Sequence, residues 1–158
     1  AFAKVLTGFD VEILAHDIYP RALGWQQFPH VKMVHLETIQ QEAEVISLHL
    51  PLTPLTKHFA NTHFFEQLKQ QPYFLSTCRG GVTSTQALLE ALQNQQIRGA
   101  GLDVLENERL DSYSHAEKAN LEALMAQPNF ILTPHIAGYS QEAYYKMSKI
   151  LLKKLGLI

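Results

Sequence analysis

The sequence predicts an α/β fold built on a doubly wound parallel sheet, and two observations carry that expectation. Short apolar runs such as Val45-Ile46-Ser47-Leu48 and Phe130-Ile131-Leu132 alternate with amphipathic stretches from one end of the chain to the other. That is the pattern of strands each followed by a helix. The strand-like runs then end in polar residues, Asp17, Arg79, Asp103 and His135. In open parallel sheets ligands gather at the C-terminal strand ends, and packing alone does not call for a polar group at each of them.

Composition sets the bounds. The chain has 158 residues, 46% of them hydrophobic, enough for one globular domain with its own core. A formal net charge of -2 gives no reason to expect nucleic acid or an anionic membrane surface as a partner. Cys78 is the only cysteine, so an internal disulfide is excluded and a reducing compartment is expected. No apolar run is long enough to span a bilayer. The first residues carry neither a Met nor the layout of a secretory signal, and they read as a chain cut within an element.

Residues 1–7 predict the end of a helix with Gly8 as its cap. Residues 11–16 form a short strand ending at Asp17, ahead of Pro20. A carboxylate at that place in a dinucleotide fold accepts hydrogen bonds from both ribose hydroxyls. Residues 21–29 are polar loop, 31–34 a brief strand and 37–43 a helix. The run over 44–51, bounded by Pro51 and Pro54, is nearly all apolar and suits a buried parallel strand. A loop over 52–60 leads to a helix over 61–68.

The strand over 73–77 runs into Cys78-Arg79-Gly80-Gly81, whose glycines permit close backbone approach. Thr83 or Ser84 caps a helix over 85–93 with Ala87, Leu88, Ala91 and Leu92 on one face. A strand of small residues over 97–104 brings in Asp103, and an acidic, irregular stretch continues through His115. A helix over 116–125 precedes the last strand, which delivers Thr133-Pro134-His135-Ile136-Ala137-Gly138. Pro134 ends the strand and Gly138 frees the backbone beyond His135. Ser140 caps the final helix, with Glu142 near the positive end of its dipole. Ala143, Met147, Ile150, Leu151 and Leu155 give it an apolar stripe, broadened by Tyr144 and Tyr145, and Gly156 marks its end.

Five motifs in this order carry a family resemblance. They are His16-Asp17-Ile18-Tyr19-Pro20, Val45-Ile46-Ser47-Leu48-His49-Leu50-Pro51-Leu52-Thr53 and Ser76-Thr77-Cys78-Arg79-Gly80-Gly81. The others are Gly101-Leu102-Asp103-Val104-Leu105-Glu106-Asn107-Glu108 and the stretch around His135. Over nearly its full length the chain resembles the cofactor domain of the D-isomer-specific 2-hydroxy acid dehydrogenases, a Rossmann-like NAD-binding domain. The resemblance implies that Arg79 binds a substrate carboxylate through its planar fork. It makes His135 the general acid/base on the 2-hydroxyl or keto oxygen, and Glu108 the carboxylate that pairs with His135 and supports the imidazolium. Glu106 lies nearer Asp103 but does not align with the catalytic carboxylate. For the cofactor, the resemblance implies that Asp17 holds the adenosine ribose and favours NAD over NADP. His49 and Pro51 would line the adenine side, and Thr77, Cys78, Asp103 and Gly138 the nicotinamide side, with Arg79 and His135 beside them.

The chain also departs from the pattern. The glycine-rich phosphate loop and the first strand are absent, and so is a substrate domain. Residues 1–139 are therefore expected to be a truncated dinucleotide-binding domain. Residues 140–158 are expected to pack toward the missing substrate domain. Cys78 and Ser84 stand where the family commonly has alanine and an acidic residue, and no proline follows Glu108. The motif over 102–108 leans toward the phosphoglycerate branch, with lactate, glycerate or a bulkier acid as other substrates. The resemblance implies a cytoplasmic homodimer or homotetramer. Two other readings stand beside the dehydrogenase: a dinucleotide-dependent corepressor-like scaffold, and an inactive fragment. None of the 8 histidines falls in a zinc-site pattern, so no metal is expected.

Overall fold

The structure, a computed structural model, describes residues 2–19 and 28–158. Ala1, Pro20 and residues 21–27 of the expected polar loop lie outside the described residues. The chain opens with α1 (Phe2–Leu6), β1 (Ile13–Ala15), β2 (Val31–Met33) and α2 (Leu36–Glu42). It continues through β3 (Val45–Leu48), α3 (Thr62–Glu66), β4 (Tyr73–Ser76) and α4 (Thr85–Gln93). It closes with β5 (Gly99–Leu102), α5 (His115–Met125), β6 (Phe130–Leu132) and α6 (Gln141–Lys154). Among the described residues Gly80–Val82 and Leu110–Ser112 form 3-10 turns.

All strand pairings among the described residues are parallel. β3-β4-β5-β6 make a four-stranded sheet in chain order, and β1-β2 pair separately. Among the described residues no ladder joins β1 to β3. That break falls where the doubly wound order places one more strand.

Alternation along the strands decides what the sheet buries. Ile46, Leu48, Phe74 and Ser76 point into the core, while Val45, Tyr73 and Leu75 on the other face stay exposed. The run over 44–51 is thus covered on one face among the described residues, not on both as its near-continuous hydrophobicity suggested. The core fills the space between the sheet and the layer of α3, α4 and α5. Phe64, Phe65 and Phe74 meet there with ring centroids 5.2–6.3 Å apart and Leu88, Ile97 and Leu124 pack around them. Burying each such Leu or Phe side chain stabilises by about 1.5–3 kcal/mol.

Caps fix where the helices begin, and through them the loops at the strand ends. Asn61 caps α3, Ser84 caps α4 and Ser140 caps α6, each accepting a hydrogen bond from a first-turn backbone N–H. Ser114 and Glu117 form a reciprocal capping box on α5. Leu155 is the C-cap of α6, and Gly156 just beyond it has a φ of 69°, in the left-handed region. No residue of α6 is buried, and Tyr144, Met147, Ile150, Leu151 and Leu155 are all exposed.

Candidate active site

Register sets the site. Ser76 pairs with Leu102, and Leu102 with Leu132, so β4, β5 and β6 end side by side. The ladder runs one step further, with Asp103 N–H donating to the Ser76 carbonyl and Thr133 N–H to the Leu102 carbonyl, both at 2.9 Å. Arg79, Asp103 and His135 therefore leave the sheet from neighbouring strand ends.

His135 is held from two sides. Its Nδ1 lies 2.7 Å from Glu108 Oε1. Its backbone has a φ of 54°, a conformation non-glycine residues adopt only where the surroundings enforce it. The enforcement is visible. Asp103 accepts hydrogen bonds from the backbone N–H groups of Ile136 and Ala137, each at 2.9 Å, and from the Thr133 hydroxyl. One carboxylate thus ties down the loop on both sides of the histidine. Asp103 is only 3% exposed. Burial works to raise its pKa, but the hydrogen bonds from Thr133, Ala137 and Ile136, with His135 nearby, hold it below its ordinary value. Sequence reading expected Asp103 to face a cofactor. In the structure both its oxygens accept hydrogen bonds from the loop that carries His135.

Glu106 does not reach His135. Its carboxylate meets His58 Nε2 at 2.6 Å and accepts from Thr85 N–H at 2.8 Å. The Tyr113 hydroxyl donates to the Asn107 carbonyl at 2.6 Å, bracing the stretch between the two glutamates. Burial pushes the Tyr113 pKa up, with Glu117, Glu106 and Glu108 adding to it.

Arg79 is exposed, and its Nη1 donates to the Cys78 carbonyl at 2.7 Å. Immediately after it the Gly80 backbone lies so close to Leu105 that a β-carbon would overlap the Leu105 carbonyl. Arg79 closes one side of an open cleft of about 590 Å³, lined otherwise by His49, Leu50, Pro51, Leu52, Thr77 and Cys78. The Cys78 thiol lies 3.3 Å from the Ser76 hydroxyl, and His49 Nε2 lies 3.0 Å from the Ser47 hydroxyl. The cleft therefore joins five of the sequence-predicted residues: His49, Pro51, Thr77, Cys78 and Arg79. Its hydroxyl, imidazole and guanidinium groups, set between apolar walls, form a donor set that fits the riboses and amide of a dinucleotide. Asp17 is not part of that lining. It stands beyond β1 and accepts from Tyr19 N–H at 2.7 Å. Gly138 follows His135 with open space around it. The His58–Glu106 pair is the feature sequence reading missed, because it joins residues 48 apart.

Comparison with known proteins points in one direction. Residues 1–137 match the family described as D-isomer specific 2-hydroxyacid dehydrogenase, NAD binding domain. The chain is 38% identical to a D-lactate dehydrogenase of Escherichia coli, with 99% of this chain and 48% of that protein covered. It is 35% identical to a glyoxylate reductase of Thermofilum pendens, covering 98% of this chain and 43% of that one. The chain thus spans about half the length of the curated relatives it matches. Among solved structures, the NAD-complexed D-isomer specific 2-hydroxyacid dehydrogenase of Lactobacillus delbrueckii ssp. bulgaricus superposes with a TM-score of 0.83 at 29% identity. That match covers 96% of this chain and 46% of the other.

Proposed function

Because the chain belongs to the D-isomer-specific 2-hydroxyacid dehydrogenases, as their NAD-binding domain, we propose that the whole protein interconverts a D-2-hydroxy acid and its 2-keto acid using NAD(H). The observation that carries this reading is the Glu108–His135 pair, anchored by Asp103 at a strand end neighbouring that of Arg79.

In reduction, Arg79 binds the substrate carboxylate through its fork and helps polarise the adjacent keto group. His135 donates a proton from its second ring nitrogen to the developing alkoxide, and Glu108 balances the imidazolium that precedes that transfer. The nicotinamide supplies the hydride when NADH is bound. General acid/base help of this kind is typically worth about 100- to 10,000-fold, and a positioned cation at the carboxylate adds a comparable term. Thr77, Cys78, His49 and Pro51 line the cleft that would take the cofactor, and Asp17, outside that lining, would meet the adenosine ribose. The exposed stripe of α6 supports a substrate domain packing against residues 140–158.

Among substrates, 3-phosphoglycerate rests on the motif over 102–108 alone. The two curated relatives named above are a D-lactate dehydrogenase and a glyoxylate reductase, so small unphosphorylated keto acids come first in a test. The experiment is NADH oxidation by the whole purified protein against pyruvate, glyoxylate, hydroxypyruvate and 3-phosphohydroxypyruvate. Turnover of at least one is the expected result. Tight NADH binding without turnover of any would favour the scaffold reading instead.

A further inference from the structure

The Glu106 carboxylate joins three chain segments that come from three strand ends. His58 belongs to the loop after β3, and its Nε2 lies 2.6 Å from Glu106 Oε1. Thr85, the first residue of α4, donates its N–H to Glu106 Oε2 at 2.8 Å. Glu106 itself follows β5. The backbone around His58 is woven into the same place. His58 N–H donates to the Gly81 carbonyl at 2.9 Å, Ala60 N–H to Val82 at 3.0 Å, and Ser84 N–H to Ala60 at 3.0 Å. His58 adopts a φ of 51°, in the left-handed region, to make this approach. Beneath the pair, Gly80 rests directly on the Leu105 carbonyl.

The neighbours of these contacts are the groups assigned to chemistry. Arg79 immediately precedes Gly80, and Glu108 stands two positions after Glu106. We propose that His58 and Glu106 form a positioning pair, which fixes the turn carrying Arg79 against the segment carrying Glu108 and so sets where a substrate lies between Arg79 and His135. The proposal rests on the dehydrogenase reading above and adds to it residues that touch neither substrate nor cofactor.

Magnitudes separate this role from a merely structural one. The side chains of His58 and Glu106 are 41% and 33% exposed, and pairs that exposed contribute little to stability. Misplacing a reacting group by an ångström, by contrast, costs about 100-fold in rate. Removing the pair should therefore affect the chemical step far more than folding or cofactor binding.

The test uses the whole protein with NADH and its best 2-keto acid, comparing wild type, His58→Leu and His58→Gln. Leucine removes the ring nitrogen, whereas glutamine keeps an N–H that can donate to Glu106. The expected result for His58→Leu is a fall in kcat of at least about 10-fold. NADH affinity should stay within about twofold of wild type, and the melting temperature within about 3 °C. His58→Gln should recover most of the loss. An unchanged kcat in His58→Leu overturns the proposal, as does a loss matched by falling NADH affinity and melting temperature. Failure of His58→Gln to recover anything also overturns it. A wild type that turns over no 2-keto acid overturns the dehydrogenase reading, and this role with it. A wild type that is active beside an equally active His58→Leu overturns the pair alone.

Discussion

Glu108 Oε1 lies 2.7 Å from Nδ1 of His135, so under the proposed mechanism Nε2 is the nitrogen that would exchange a proton with a substrate. Replacing His135 with Gln should lower turnover by about 100- to 10,000-fold, the usual worth of a general acid/base. NADH affinity, measured by fluorescence titration, should hardly move. Glu108→Gln keeps an acceptor for the Nδ1–H but removes the carboxylate charge, and should cost kcat about 10- to 100-fold, the range for the charged share of such a hydrogen bond. A variant at either position that binds NADH poorly and turns over normally once saturated would place that residue in cofactor binding instead.

Arg79 offers a sharper contrast between charge and shape. Arg79→Lys keeps the positive charge but loses the planar fork. The KM for the keto acid should rise about 10- to 100-fold in Arg79→Lys, nearly as far as in Arg79→Ala. Equal KM values for Arg79→Lys and wild type would mean that a point charge is enough and that no bidentate contact is made.

Asp103 should reveal itself in the acid limb of stability. Its folded pKa lies below the ordinary value of 3.8. Its contribution is therefore complete above the unfolded value and disappears only as pH falls through the lower folded one. Asp103→Asn puts an amide N–H opposite a backbone N–H, and an unsatisfied buried group of that kind costs about 1–3 kcal/mol. Thermal melts should show wild type above Asp103→Asn by a constant margin from about pH 5 to 8, narrowing below about pH 4. A margin that does not change with pH would show that the carboxylate charge contributes nothing.

Gly80 and Gly138 should respond oppositely to alanine. A β-carbon at Gly80 overlaps the Leu105 carbonyl, whereas at Gly138 it meets nothing within 4 Å. Gly80→Ala should lose about 1–3 kcal/mol or more through forced backbone movement. Gly138→Ala should stay within about 0.5 kcal/mol of wild type. Chemical denaturation of the two variants side by side measures both, and equal midpoints would contradict the Gly80 contact.

The elements were legible where period and punctuation agree. The helix Thr85–Gln93 and the strand Phe130–Leu132 appear with the bounds their sequence announced, because a Ser cap opens one and Pro134 closes just past the other. Strand ends were less sharp: the expected strand over 97–104 contracts to Gly99–Leu102, since hydrophobicity outlasts pairing. The Ser114–Glu117 capping box is a four-residue signal, and it starts α5 one residue earlier than the expected helix over 116–125. In the site, local sequence placed Arg79, Asp103 and His135 at strand ends but said nothing of what each touches. Asp103 reaches amides more than thirty residues away, and Glu106 reaches His58 across 48. Contacts of that kind follow from the register of the sheet, which no local pattern contains. The separation of Glu106 from Glu108 came only from resemblance, as two acidic residues in an irregular stretch carry no period to tell them apart.

The register of β4, β5 and β6 also acts as a ruler. Ser76, Leu102 and Leu132 sit abreast on three adjacent strands, and neighbouring strands are spaced by about 4.8 Å. The strand ends that lead to Arg79 and His135 are thus about 10 Å apart, a span that repacking of the loops does not alter. If Arg79 and His135 act as proposed, that span would have to hold a carboxylate with the carbon to be reduced directly beside it. On the proposed reading, variation in substrate size would then point away from the strand ends, and this side of the cleft would gauge the reacting group alone.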